Sequence, residues 1–127
     1  MSNQANGVKL QTVIAARPGA TRQALQATLA LFSRLEIAGV AGGGLSTLNL
    51  VRQVKPALLI VDSGLLEDEI ATLLQQVKQE QPQIRCLALA DTHSQQQILL
   101  ALGADMVSLH SEPTERLVEA LDNIGLW

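Results

Sequence analysis

The side chains able to do chemistry are few, and most of them follow apolar runs. Asp62 closes the run Pro56-Ala57-Leu58-Leu59-Ile60-Val61, and Ser63 comes next. Asp91 follows the apolar stretch 84–90, and His110 follows 106–109. A carboxylate at a strand end can accept a phosphoryl group, hold a cation, or accept hydrogen bonds from loop amides. Ser63 and Asp91 could complete a polar pocket beside Asp62, because ligands of open α/β sheets collect beyond the carboxyl ends of the strands. A histidine at such a place can be a pH-sensitive group or an anion contact, or an ordinary surface residue.

Other groups read more plainly. Gly42-Gly43-Gly44 invites a phosphate-loop reading, but it lacks the Gly-Lys-Ser/Thr ending and the spacing of either nucleotide fingerprint. It reads as a turn leading into a helix. Glu67-Asp68-Glu69 could gather a metal; a better account is favourable interaction with the dipole at a helix start. Cys86 is the single cysteine, so no intrachain disulfide and no thiolate-rich metal site is expected. Within an apolar run it reads as an inert core thiol. No nucleophile–base pair is found, so the chain is not expected to be an enzyme, and no cofactor or metal is expected.

The elements that must position these groups alternate along the chain. Strands are expected at 8–16, 36–41, 57–61, 84–90 and 106–109. Helices are expected at 21–35, 45–55, 69–80, 94–102 and 112–124, from apolar positions at helical spacing such as Leu25, Leu29, Phe32 and Leu35. Pro56 stops the second helix, Pro82 follows the third, Gly103 is placed as a left-handed cap, and Pro113 suits the first turn of the last helix. Strand–helix alternation repeated in this way predicts a parallel sheet covered on both faces. Residues 1–7 read as a disordered polar tail and 8–127 as one domain. Trp127 would pin the last helix, join a partner surface or fray.

Composition excludes several functions. The chain has 127 residues, 47% of them apolar and 17% charged, enough for one globular core. Phe32 and Trp127 are its aromatic residues, so aliphatic side chains must fill that core. A net charge of −3 with no basic cluster speaks against direct nucleic-acid binding. No run approaches the ~20 apolar residues of a membrane-spanning helix. The start has no signal-peptide pattern, and a cytoplasmic setting is expected.

The run ending in Asp62 resembles the central strand of response-regulator receiver (CheY-like) domains, which closes with the phosphate-accepting aspartate. Gly39-Val40-Ala41 with the glycines after it resembles the second strand and turn of that family. Ala101-Leu102-Gly103-Ala104-Asp105 is similar to its segment before the fifth strand. The match covers about residues 8 to 125. The resemblance implies a doubly wound, flavodoxin-like fold of five parallel strands in order 2-1-3-4-5 with five helices.

It also implies a degenerate site. The acidic pair that holds magnesium in the family falls on Ala15 and Ala16, or on Ala16 and Arg17. The hydroxyl residue of the fourth strand falls on Ala90 and the lysine of the fifth on His110. The aromatic switch residue falls on Val107, and Asp62 alone matches, as the phosphoacceptor equivalent. Methyl groups offer magnesium no ligand, and a guanidinium would repel it. An unperturbed imidazole with a pKa of about 6.5 is mostly neutral at pH 7 and replaces the lysine charge poorly. Phosphoryl transfer depends on such charges, so efficient use of Asp62 is not expected.

The reading that results is a pseudo-receiver: a phosphorylation-independent protein-interaction module in signal transduction or transcriptional regulation. Its expected partner is a regulator, a kinase or a second copy. Docking is expected on the face of the fourth helix, fifth strand and fifth helix (94–102, 106–109 and 113–124). The alternatives are a phosphoacceptor receiver using Asp62 in a non-standard site, and a small-ligand or nucleotide-binding protein of flavodoxin-like topology.

Overall fold

Strands and helices alternate without exception in a computed structural model that describes residues 9–112 and 114–124. The strands are β1 (Leu10–Ala15), β2 (Leu35–Ala41), β3 (Leu58–Asp62), β4 (Arg85–Ala90) and β5 (Met106–Leu109). The helices are α1 (Ala20–Ala30), α2 (Gly44–Val54), α3 (Glu67–Glu80), α4 (His93–Ala101) and α5 (Thr114–Ile124). All neighbouring strands pair in parallel, in the order β2-β1-β3-β4-β5. The expected doubly wound topology is the observed one. The tail 1–7, Val8, Pro113 and Trp127 lie outside the described residues.

Strand alternation divides the core between two faces. Val13, Ala15, Leu59, Val61, Cys86 and Ala88 meet apolar residues of α2, α3 and α4, among them Val51, Leu73, Leu74 and Leu99. Ile14, Leu58, Ile60, Leu87 and Leu89 meet Leu25 and Leu29 of α1 and Leu117, Ala120 and Leu121 of α5. Leu58 to Val61 have no exposure at all, as a run buried on both faces requires. Each such aliphatic side chain contributes roughly 1.5–3 kcal/mol by leaving water. The largest fully buried side chains are leucine, isoleucine and valine, so aliphatic packing does fill the core. No helix among the described residues is long and apolar enough to cross a membrane.

Helix ends follow local chemistry. α4 stops in a Schellman turn: Gly103 N–H bonds Leu100 O and Ala104 N–H bonds Leu99 O. Gly103 has φ +117°, a region open to glycine, as its cap role requires. α3 begins at Glu67 rather than residue 69, because its three acidic residues form the favourable first turn. α1 ends at Ala30 rather than at Leu35. Phe32 and Leu35 make turn bonds instead, and Leu35, 6% exposed, opens β2 opposite Leu10. Burying that leucine in the sheet outweighs the helical spacing that pointed to it.

Candidate functional site

Asp62 is the last residue of β3, and its side chain is only 8% exposed. Both of its oxygens are engaged. Oδ2 accepts the N–H of Gly64 at 3.1 Å, and Oδ1 lies 2.6 Å from Nε2 of His110. His110 follows β5, where its own N–H bonds the carbonyl of Ala90 at 2.8 Å. Asp91 Oδ1 is 4.0 Å from the same Nε2, on a side chain 66% exposed.

This geometry changes the titration expected of the histidine. The hydrogen bond to Asp62 raises the His110 pKa against the opposing effect of burial, and the charges of Asp62 and Asp91 add to the rise. The imidazole therefore departs from the unperturbed, mostly neutral group read from the sequence. Asp62 is not a lone carboxylate: an imidazole whose protonated form it favours stands beside it. The contact was not legible because the two residues are 48 positions apart.

The end of β1 is built differently from a metal site. Ala15 and Ala16 are fully buried. The Ala16 carbonyl accepts both Nε and Nη2 of Arg22, at 2.9 and 2.7 Å. Arg17 reaches across the sheet end: Nε donates to the Gly64 carbonyl at 3.2 Å, and Nη2 meets Glu69 Oε1 at 3.2 Å. The Gly64 peptide thus joins the two charges, its N–H on Asp62 and its carbonyl on Arg17. A magnesium ion does not fit these residues. The two alanines supply methyl groups, a guanidinium covers the neighbouring carbonyl, and Asp62 is bonded on both oxygens.

Glu69 was read as one member of a possible metal cluster, and its role is otherwise. Its carboxylate accepts the N–H of Gly44 at the start of α2 and of Leu66 before α3, besides Arg17. Those backbone bonds, the Gly44 one foremost, hold its pKa below the ordinary value. Arg22 and Gly64 carry no motif that would mark them in the sequence. Gly43 precedes α2 with its N–H on Ser46 Oγ, so the glycine run is a helix entry, as read.

Ala90 closes β4 with no exposure, and Val107 lies within β5 at 9%. Neither offers a hydroxyl or a ring. Ser63 does not join Asp62 in one pocket: its buried Oγ has no partner among the described residues, and it lines a separate cavity of about 20 Å3 with Glu67, Ile70 and Gln95. Cys86 is 1% exposed, and burial pushes its thiol up to about 12.

No protein-family model and no curated protein matches the chain. Solved structures do. One is a DNA-binding response regulator of the LuxR family from Staphylococcus aureus, 19% identical, with TM-score 0.75 over 91% of this chain and 98% of the other. The signal receiver domain of NarL from Mycobacterium tuberculosis is 21% identical, with TM-score 0.76 over 94% and 99%. The isolated REC domain of RcsB from Salmonella enterica serovar Typhimurium, determined with the phosphomimetic BeF3-, is 16% identical, with TM-score 0.78 over 92% and 88%. At such identities the likeness concerns the fold: this chain has the fold of CheY-like receiver domains.

Proposed function

We propose that the chain is a cytoplasmic receiver-fold interaction module of signal transduction or gene regulation that works without phosphorylation of Asp62. The observation that carries this reading is the occupied carboxylate. His110 takes Oδ1 and Gly64 takes Oδ2, so an incoming phosphoryl group must first break the bond to His110. It then meets no metal ligand at Ala15 or Ala16 and no hydroxyl at Ala90. Phosphoryl transfer relies on charges placed around the transferring oxygens, and here Arg17, Arg22 and His110 are all bonded to internal partners.

Docking on the α4–β5–α5 face agrees with exposed apolar side chains on α4: Ile98 is 39% exposed and Leu100 47%. A regulator, a kinase or a second copy would cover them there. One observation favours the phosphoacceptor alternative. His110, its pKa raised beside Asp62, would in its protonated form neutralise an added phosphate where the resembling family has a lysine. That same imidazole is already bonded to the unmodified carboxylate, and this makes the alternative the weaker one.

The test is to treat the chain with a small acyl phosphate, or with beryllofluoride and magnesium. The expected result is no modification by mass and no saturable change in the amide spectrum near Asp62. A stoichiometric modification that Asp62→Asn abolishes overturns the reading.

A further inference from the structure

We propose that the cavity between α1 and α5 binds a small neutral polyol. It lies on one face of the sheet and has a volume of about 160 Å3. Leu25 of α1, Leu89 of β4 and Leu117 of α5 give it apolar walls, while Thr28, Ser108 and His110 bring polar atoms to it. Ser108 carries the inference. It is 5% exposed, on a strand face where Leu87, Leu89 and Met106 pack among aliphatic side chains. Its hydroxyl has no hydrogen-bond partner among the described residues, and it lines the cavity. A buried hydroxyl left unbonded is costly, and a bound molecule removes that cost. The hydroxyl of Thr28, half-buried on α1, also lacks a partner among the described residues. His110 has Nε2 on Asp62, and its Nδ1 has no partner among the described residues.

Size and charge select the occupant. A cavity of roughly 150 Å3 takes a molecule the size of benzene, but benzene itself would leave both hydroxyls unbonded. The lining carries charge of both signs. Glu112 has Oε1 on the Leu109 amide, and its Oε2 has no partner among the described residues. A bound anion would meet that carboxylate. A bound cation would meet His110, whose protonated form Asp62 favours. A neutral molecule avoids both repulsions. Hydroxyls of a polyol can accept from Ser108 and Thr28 and donate to Glu112, because each is donor and acceptor at once. Its short carbon chain then meets the leucine walls. The proposal stands whether or not a partner docks on α4.

The test uses the whole chain, isotope-labelled, and probes of one size: glycerol, lactate, protonated aminopropanediol and benzene. Glycerol is expected to shift the amides of Thr28, Leu89, Ser108 and Leu117 saturably. The other probes are expected to bind at least about tenfold more weakly, lactate and aminopropanediol through repulsion and benzene through lost hydrogen bonds. Ser108→Ala should weaken glycerol binding about tenfold. It should leave the denaturation midpoint no lower, because the hydroxyl bonds nothing among the described residues. Thr28→Val, which keeps the side-chain shape, should weaken glycerol binding in the same direction. No saturable shift with glycerol means that the cavity holds water only, and this overturns the proposal. Equal or tighter binding of lactate, aminopropanediol or benzene overturns the choice of a neutral polyol. Glycerol shifts that survive both substitutions unchanged place the binding elsewhere and overturn it as well.

Discussion

Nε2 of His110 stands 2.6 Å from Oδ1 of Asp62, across the end of a strand that separates them. β4 lies between β3 and β5, and it ends in Ala90, whose carbonyl anchors the His110 backbone. The small alanine leaves the space above the strand end to the imidazole. The imidazole there closes one oxygen of the carboxylate.

That pair makes stability depend on pH. His110 gains its partner on folding, so its pKa lies above the ordinary 6.5. Its stabilisation is fully present below the unfolded value and is lost as pH rises through the folded one. Proton-detected titration should place the His110 midpoint above 6.5, and Asp62→Asn should bring it down. An unchanged midpoint in Asp62→Asn would rule out the pair as the cause.

Gly64 sits against the same carboxylate. A Cβ at that position would lie 2.8 Å from Asp62 Oδ2. Gly64→Ala should therefore displace the carboxylate, lower the His110 midpoint and cost about 1–3 kcal/mol, the scale of overpacking. Chemical denaturation and the His110 titration check the two effects separately.

Glu69 ties the start of α2 to that of α3. Its folded pKa is depressed below the ordinary 4.5, chiefly by the Gly44 and Leu66 amides. Its contribution is present above the unfolded value and disappears as pH falls through the folded one. Glu69→Gln should be less stable than the parent at neutral pH, with the difference shrinking in acid below pH 4.5. Thermal melts at several pH values measure this directly.

Lys55 caps α2 at φ +51°, a left-handed conformation in which a Cβ is crowded. Lys55→Gly should relieve about 1 kcal/mol of strain, partly offset by the freer unfolded chain. A net gain in denaturation midpoint is expected for glycine and none for alanine.

Cys86 should react with a thiol reagent only when the chain unfolds, because it is 1% exposed and its pKa is pushed up to about 12. At pH 8 the labelling rate should track denaturant as global unfolding does. Rapid labelling of the folded chain would contradict the burial.

Much of this was legible in the sequence because it is local. Apolar runs such as 57–61 mark buried strands, Pro56 and Gly103 mark helix ends, and Asp62 is placed at a strand end by the run before it. The helix expected at 21–35 ends at Ala30 because Leu35 fits helical spacing and strand burial equally well, and only its pairing with Leu10 decides. The site was legible as positions but not as contacts. That His110 reaches Asp62, or that Arg17 reaches Gly64 and Glu69, depends on strand order and on side chains meeting across loops. A single sequence has no local signal for either.

The double engagement of Asp62 bears on how genetic experiments on this chain are interpreted. In a phosphorylated receiver, removing the acceptor aspartate is taken to silence a signal. Here Asp62→Ala would leave the His110 imidazole and the Gly64 amide without their shared partner, loosening the loop that follows β3. A phenotype from such an allele would thus report a weakened protein even in a cell that never delivers phosphate to it, and the steady-state amount of the variant is the control that separates the two causes.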